Sequence, residues 1–167
     1  MKEILNRWSH FLVEGQKLDT PVVNIFIFNE DYKFLMIRRT ETAPFKPGAW
    51  DIPGGHVEEG ESLAEAARRE TKEETQLNIG TLIPIPTHAR SQRNYFVTDD
   101  YDGVIEFLPN PEHGYREHDK HIWVSFEEYQ QIPYKTITAE QNVLAAMKAL
   151  EIPLPPPYDV LFESYNG

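Results

Sequence analysis

Apolar positions recur along the chain in two rhythms, one of period 3.6 and one of period 2, and the switches between them predict the elements. Ile4, Leu5, Trp8, Phe11 and Leu12 fall at helical spacing and predict a short amphipathic helix at the N-terminal end. Two runs rich in β-branched and aromatic residues follow, Val22 to Phe28 and Lys33 to Arg39, and the turn-prone Asn29-Glu30-Asp31 between them predicts a hairpin. From Ala43 to Gly60 prolines and glycines are dense, so this stretch reads as loop with a short strand around Trp50 to Ile52. Ser62 followed three residues later by Glu65 is a capping box, and good helix formers then continue to about Gln76, which predicts a helix over 62–76. Strand-like segments recur at 81–86, 93–98, 103–108 and 121–125, and Thr138 with Gln141 opens a final helix carrying Val143, Leu144, Met147 and Leu150. Strands and helices alternate without a regular βαβ rhythm. The expected class is therefore α/β of the α+β kind, a mixed sheet sandwiched between helices rather than a doubly wound one. The chain has 167 residues, which suits one domain spanning 1–167. The N-terminal helix at 1–15 and the Pro- and aromatic-rich tail at 153–167, with Tyr158, Val160, Phe162 and Tyr165, are expected to dock on the domain or on a second chain as a homodimer, since they would otherwise expose an apolar patch.

Composition narrows the chemistry. There is no cysteine, so any metal must be held by oxygen or histidine, and oxygen ligands imply a hard cation. With 27 acidic against 16 basic residues the formal net charge is -11, which repels long nucleic acid but not a small phosphorylated ligand whose charge a divalent cation neutralises. No apolar run is long enough to cross a bilayer, and Glu3, Asn6, Arg7 and Glu14 interrupt the first residues where a signal peptide needs an apolar segment, so the expectation is a cytoplasmic protein without membrane association.

The predicted helix carries the strongest chemical signal. On a wheel of 3.6 residues per turn Leu63, Ala67, Glu70, Glu74 and Leu77 share one stripe, with Glu73 at its edge and Arg68 and Lys72 opposite. An exposed helix laced with ion pairs explains Glu65 and Arg69 at i,i+4, but not carboxylates that continue an apolar face. Carboxylates gathered on a half-buried face repel and drift toward protonation unless a cation holds them ionised. A divalent cation accounts for them, and Mg²⁺ or Mn²⁺ suits a site with few protein oxygens. A salt-bridge network to another helix and an ordinary acidic surface are the alternatives.

The stretch from Gly55 to Leu77 resembles the Nudix box of the MutT-like hydrolases, matching it at Gly55, Glu61, Arg69, Glu70, Glu73, Glu74 and Leu77. The lead-in Pro47-Gly48-Ala49-Trp50-Asp51-Ile52-Pro53-Gly54-Gly55 resembles the family's strand and turn. One position departs: the box's glycine near the helix end is Gln76, so the helix stop is expected at Asn78 or Gly80 instead. The resemblance implies a Nudix-type fold and magnesium-dependent cleavage of a pyrophosphate bond in a nucleoside diphosphate linked to another moiety, such as a nucleoside triphosphate, nucleotide sugar or dinucleotide. It further implies that Glu70, Glu73 and Glu74 hold Mg²⁺, with Mn²⁺ as a substitute, that a backbone carbonyl of Gly54 or Gly55 adds a ligand, and that Arg69 pairs with a carboxylate such as Glu61. Glu117, six residues before Trp123, resembles a loop carboxylate that reaches the metal centre from outside the box; its plain alternative is a solvated loop glutamate with His118 and Asp119 as equally exposed neighbours.

Substrate choice lies outside the box. Arg38, Arg39, Arg90 and Arg93 are candidate phosphate clamps because a guanidinium offers bidentate contacts, though each also reads as a strand-surface charge. Tyr95 lies 18 residues beyond Leu77, a spacing that resembles members acting on dinucleoside polyphosphates, and it also reads as a packed strand tyrosine. His56 and Trp50 read as a turn residue and a core residue. The alternative function is a catalytically silent nucleotide sensor, from which loss of box carboxylates would be expected; all are retained.

Overall fold

The computed structural model describes residues 20–86, 92–136 and 139–163. The helix expected at 4–12, Arg90, Thr138 and Tyr165 lie outside them. In chain order the elements are β1 (Val22–Ile27), β2 (Phe34–Arg39), β3 (Trp50–Asp51), β4 (Gly54–His56), α1 (Leu63–Thr75), β5 (Asn78–Ile79), β6 (Ile83–Ile85), β7 (Arg93–Thr98), β8 (Tyr101–Asp102), β9 (His118–Val124), α2 (Phe126–Gln130), α3 (Glu140–Ala149) and α4 (Tyr158–Glu163).

β1 is apolar at nearly every position because both of its faces are covered. Val23, Ile25 and Ile27 join a core with Ala66 and Ala67 of α1, while Phe26 and the adjoining Phe28 join a second core with Phe126, Tyr129, Val143, Leu144 and Met147 of α2 and α3. Its edges are taken by β4, antiparallel, and β7, parallel, in a sheet of order β4-β1-β7-β6. A second, antiparallel sheet has the order β3-β2-β9, and β5 pairs with β8. One parallel pair among antiparallel ones makes the arrangement mixed, with helices on both sides, as the sequence predicts.

The expected hairpin forms only at its turn. Asn29 organises it, its Oδ1 accepting from the backbone of Asp31 at 3.1 Å and Lys33 at 3.0 Å. Beyond the turn β1 and β2 share the Phe28–Phe34 bridge and then diverge into different sheets, since β1 pairs with β4 and β7 and β2 with β3 and β9. The strand expected at 103–108 is a loop: Ile105 and Phe107 lean on the α1-side core, and the Glu106 N–H donates to Thr75 O at 3.1 Å at the end of α1 instead of to a strand. The last long helix begins on Ala139, which has no capping side chain, rather than on a Thr138–Gln141 box. The described start of the tail docks on the domain, with Leu154 against the α2–α3 core that Ile152 joins just before it, and the Tyr158 ring edge-on to Phe126 at 5.5 Å. Among the described residues no helix is long and apolar enough to cross a membrane.

Candidate active site

α1 starts where the sequence predicts. Ser62 accepts from the Glu65 N–H at 3.2 Å and Glu65 Oε2 accepts from the Ser62 N–H at 2.8 Å, so Glu65 serves the cap and not an ion pair with Arg69. The helix ends on Gln76 itself, which adopts φ 64° and ψ 5°, a correction to the stop expected further along. A left-handed residue with a Cβ is normally disfavoured. Three local bonds hold it: the Gln76 N–H and Nε2 both donate to Lys72 O at 3.0 Å, and Lys72 Nζ donates to Gln76 O at 2.9 Å.

Small and hydroxyl-bearing residues face the sheet, namely Ala66, Ala67, Thr71 and Thr75, and the two threonine hydroxyls return to Ala67 O and Thr71 O at 2.8 and 2.6 Å. This close docking brings the helix onto the Gly54-Gly55 turn. The Gly54 N–H donates to Glu74 Oε2 at 2.9 Å. A Cβ on Gly55 would stand 2.3 Å from the Glu70 carboxyl, so glycine is what lets Glu70 cross the β4 backbone. Glu70 and Glu74 are 15% and 12% exposed, turned into the protein rather than into bulk solvent.

Arg69 orders this face. Its Nε and Nη2 donate to the two oxygens of Glu61 at 2.8 and 3.0 Å, Nη2 also reaches the His56 carbonyl at 2.9 Å, and Nη1 donates to Glu70 Oε1 at 3.0 Å and Glu73 Oε2 at 3.4 Å. Glu61, hydrogen-bonded by Arg69, is held below the usual carboxylate range. Glu70 and Glu74 move the other way. Burial lifts Glu70 to about 7 against the pull of Arg69. Burial, reinforced by the charges of Glu70 and Glu117, lifts Glu74 well above its ordinary value. Burial also raises Glu73.

Glu117 ends the loop before β9 and enters the same centre. Asn110 Nδ2 and His113 Nε2 each lie 2.8 Å from its Oε1. Burial raises its pKa, but His118, His113 and Asn110 outweigh burial and hold it below the ordinary value. The expectation of exposed neighbours is corrected here, because β9 begins earlier than its apolar run suggests. His118 is 3% exposed and Asp119 is half-buried. Burial, aided by Arg39, pushes His118 down to about 4, leaving a neutral imidazole. One donor atom each from Glu74, Glu117 and His118 lie within 4.8 Å of one another, while Glu70 and Glu73 stand outside that trio on the Arg69 side. Sequence reasoning missed His118, because a register irregularity between the partners of Lys120 and His118 brings it to Glu74 and Phe107, whereas Ile122 and Val124, of the same parity, pack in the α2–α3 core.

The proposed clamps divide. Arg38 is taken by Asp119 in a two-bond fork at 2.9 and 2.6 Å. Arg39 donates from Nε to Phe45 O at 2.7 Å, with its guanidinium 5.8 Å from the Phe45 ring centre. Arg93 Nη1 donates to Asn24 Oδ1 at 3.1 Å. Arg39 and Arg93 both act on Asp51, a carboxyl that burial raises and that the sequence reading passed over. Tyr95 is buried and stacked on Phe26 at 6.0 Å.

The NUDIX domain family model matches residues 18–146. The chain belongs to the Nudix family. This Nudix chain is 34% identical over 108 residues to an RNA pyrophosphohydrolase of Caulobacter vibrioides, a match covering 64% of the chain and 56% of that relative. It is 39% identical over 67 residues to the m7GpppN-mRNA hydrolase NUDT17 of Xenopus laevis, covering 40% and 22%. It is 51% identical over 51 residues to an ADP-ribose pyrophosphatase of Methanocaldococcus jannaschii, covering 30% and 29%. The matches thus span from 22% to 56% of these relatives' lengths. Among solved structures the E. coli ORF135 protein superposes with a TM-score of 0.58 at 27% identity, covering 82% of this chain and 94% of that one. A MutT structure, from work on Aliivibrio salmonicida and Vibrio cholerae, shares the Nudix fold at TM-score 0.55 and 22% identity, covering 79% and 97%.

Proposed function

We propose that this Nudix chain is a divalent-cation-dependent pyrophosphohydrolase that cleaves the phosphoanhydride link of a nucleoside diphosphate joined to another moiety and releases a nucleoside monophosphate. The observation that carries this reading is the pair Glu70 and Glu74 against the Gly54-Gly55 turn, with Glu73 beside them on α1 and Glu117 brought close to Glu74, burial raising Glu70, Glu73 and Glu74. Buried carboxylates this close repel, and a cation is what lets them stay ionised together. The donor set fits Mg²⁺ or Mn²⁺: carboxylate oxygens from α1 and from Glu117, the backbone of the Gly54-Gly55 turn packed against them, and no thiolate. Bound there, the cation supplies neutralisation of pyrophosphate charge and a lower pKa for the attacking water.

The chain's own groups do the rest. Arg69 clamps Glu61, Glu70 and Glu73 into fixed rotamers, which keeps the carboxylates from relaxing into solvent. Glu117, held from behind by Asn110 and His113, brings in a carboxylate from outside α1, in place to orient the attacking water. Arg39 and Arg93, which share the field of the buried Asp51, are the proposed contacts for substrate phosphate, and the bidentate Arg38–Asp119 fork argues against Arg38 in that role. Tyr95 packs on Phe26 in the α2–α3 core, on the side of the sheet away from α1, which speaks for the packed-strand role over a substrate contact. The substrate is a small nucleotide rather than a long polynucleotide, in keeping with a net charge of -11.

A panel of nucleoside triphosphates, nucleotide sugars, ADP-ribose, NADH, dinucleoside polyphosphates and 5′-triphosphorylated RNA tests the reading. Release of nucleoside monophosphate or pyrophosphate with Mg²⁺ or Mn²⁺, abolished by a chelator, is expected for at least one small nucleotide. Nucleotide binding without turnover on any of them would make the chain a silent sensor and overturn the proposal.

A further inference from the structure

Glu61, Glu70 and Glu73 bond Arg69, Glu74 accepts from Gly54 and Glu117 is held by Asn110 and His113, whereas no such bond to His118 is present among the described residues. It opens β9 at 3% exposure, and neither ring nitrogen makes a hydrogen bond among the described residues. Its Nδ1 approaches Glu74 Oε1 at 3.8 Å, beyond hydrogen-bond reach. Its nearest aromatic neighbour is Phe107, at 6.5 Å between ring centres. Among the described residues only Thr136 Oγ1 is a fully enclosed polar side-chain atom without a partner, so the His118 nitrogens are not sealed in but open onto space where a ligand can meet them.

The ring lines a small cavity together with Glu73, Glu74, Asn110 and Glu117. Within it the donor atoms of Glu74, Glu117 and His118 span no more than 4.8 Å. Ligands about 2 Å from a single ion stand about 3 to 4 Å apart, so small side-chain rotations close the set. Glu117 is already fixed by two bonds to one oxygen, as outer partners fix a ligating carboxylate.

We propose that His118 donates a ring nitrogen, together with Glu74 and Glu117, to a cation of this centre, so that the site takes a divalent first-row transition ion such as Mn²⁺ in preference to Mg²⁺. The inference rests on the cation-dependent reading above and reverses the order of the two metals. Mg²⁺ coordinates almost entirely through oxygen, whereas an imidazole strengthens binding of transition ions.

Electron spin-echo spectroscopy of Mn²⁺ bound to the full chain tests it, alongside calorimetric Mn²⁺ and Mg²⁺ affinities for wild type, His118→Gln and Glu74→Gln. The wild type is expected to show modulation from a directly bound ¹⁴N. His118→Gln is expected to lose that signal and to bind Mn²⁺ about 10-fold more weakly or worse, with a much smaller change for Mg²⁺. Mn²⁺ that binds, is lost in Glu74→Gln, and shows no bound nitrogen would overturn the role of His118 and leave the cation-dependent hydrolase standing. A nitrogen signal that survives His118→Gln would overturn it equally, by pointing to another histidine. Failure of the chain to bind either cation would remove both proposals. If His118→Gln does not fold, the wild-type spectrum decides, with His56→Gln and His113→Gln required to keep the nitrogen signal.

Discussion

Glu70 and Gly55 form one unit at the residue scale. The glutamate reaches the centre only because its neighbour has no side chain, with a Cβ at 55 falling 2.3 Å from the Glu70 carboxyl. Gly55→Ala is therefore expected to displace the carboxylate and lower kcat about 10²-fold, the usual cost of misplacing a reacting group by roughly 1 Å, while circular dichroism stays native. Gly54→Ala differs, because its Cβ would meet the Val23 carbonyl at 2.1 Å, which is backbone and cannot swing away. It should lower stability by about 2 kcal/mol or more in denaturant titrations. An equal loss of stability in both variants would show that Gly55 serves packing rather than Glu70. Titration gives a second residue-scale test. With Glu70 raised from 4.5 to about 7, the cation-free folded chain keeps a proton in that window that the unfolded chain has released, so this group's stabilisation is complete below about pH 4.5 and lost as pH rises through 7. His118, lowered from 6.5 to about 4, slopes the other way, contributing above 6.5 and losing its contribution as pH falls to 4. The two overlap, so the difference between Glu70→Gln and wild type isolates the glutamate. In chelator, the Tm of Glu70→Gln relative to wild type should rise between pH 4.5 and 7.5, and scanning calorimetry showing a flat difference would contradict the raised pKa.

At the scale of the element, α1 is defined by its two ends. The Ser62–Glu65 box sets the first turn, and the bonds among Lys72, Gln76 and Asn78 set the last. Gln76 holds φ 64° at a conformational cost of about 1 kcal/mol that glycine would not carry. Its side-chain bond is exposed and offsets only part of that cost, so Gln76→Gly should raise Tm by a few degrees without altering kcat. A lower Tm would mean that the Nε2 bond outweighs backbone strain. The helix was legible in the sequence because capping chemistry and 3.6 periodicity act locally. The hairpin was not, since partner choice for β1 and β2 depends on β4, β7 and β9, which lie far along the chain. The same cause hid the start of β9: the polar His118-Asp119-Lys120-His121 run reads as loop until the Arg38–Asp119 fork and the burial of His118 are seen across the sheet. The loop at 103–108 misled in the opposite sense, its alternating apolar residues serving as anchors to the core and not as strand pairs.

Across the whole molecule, two sheets and the helices on their outer faces hold α1 against the Gly54-Gly55 turn and bring the loop at Glu117 over it from 47 residues further along than Glu70, by subtraction of their positions. The α1 half of the centre could be read from spacing alone, because Arg69, Glu70, Glu73 and Glu74 lie within six consecutive residues. The other half, Glu117, His118 and the buried Asp51, depends on tertiary contact, and only Glu117 gave a sequence signal. What unites both halves is an excess of buried carboxylate that Arg69, bonded to Glu61, Glu70 and Glu73, leaves unrelieved at Glu74. The proposed divalent cation rests above all on Glu74, the most buried of its carboxylate ligands, with burial as the main cause of its raised pKa. The most direct measurement is kcat for Glu74→Gln against wild type, on the best substrate of the panel at saturating cation, with native folding verified by circular dichroism. A fall of at least about 10²-fold is expected, as when one electrostatic stabiliser of a transition state is removed. Wild-type turnover in a folded Glu74→Gln chain, with unchanged cation dependence, would contradict it.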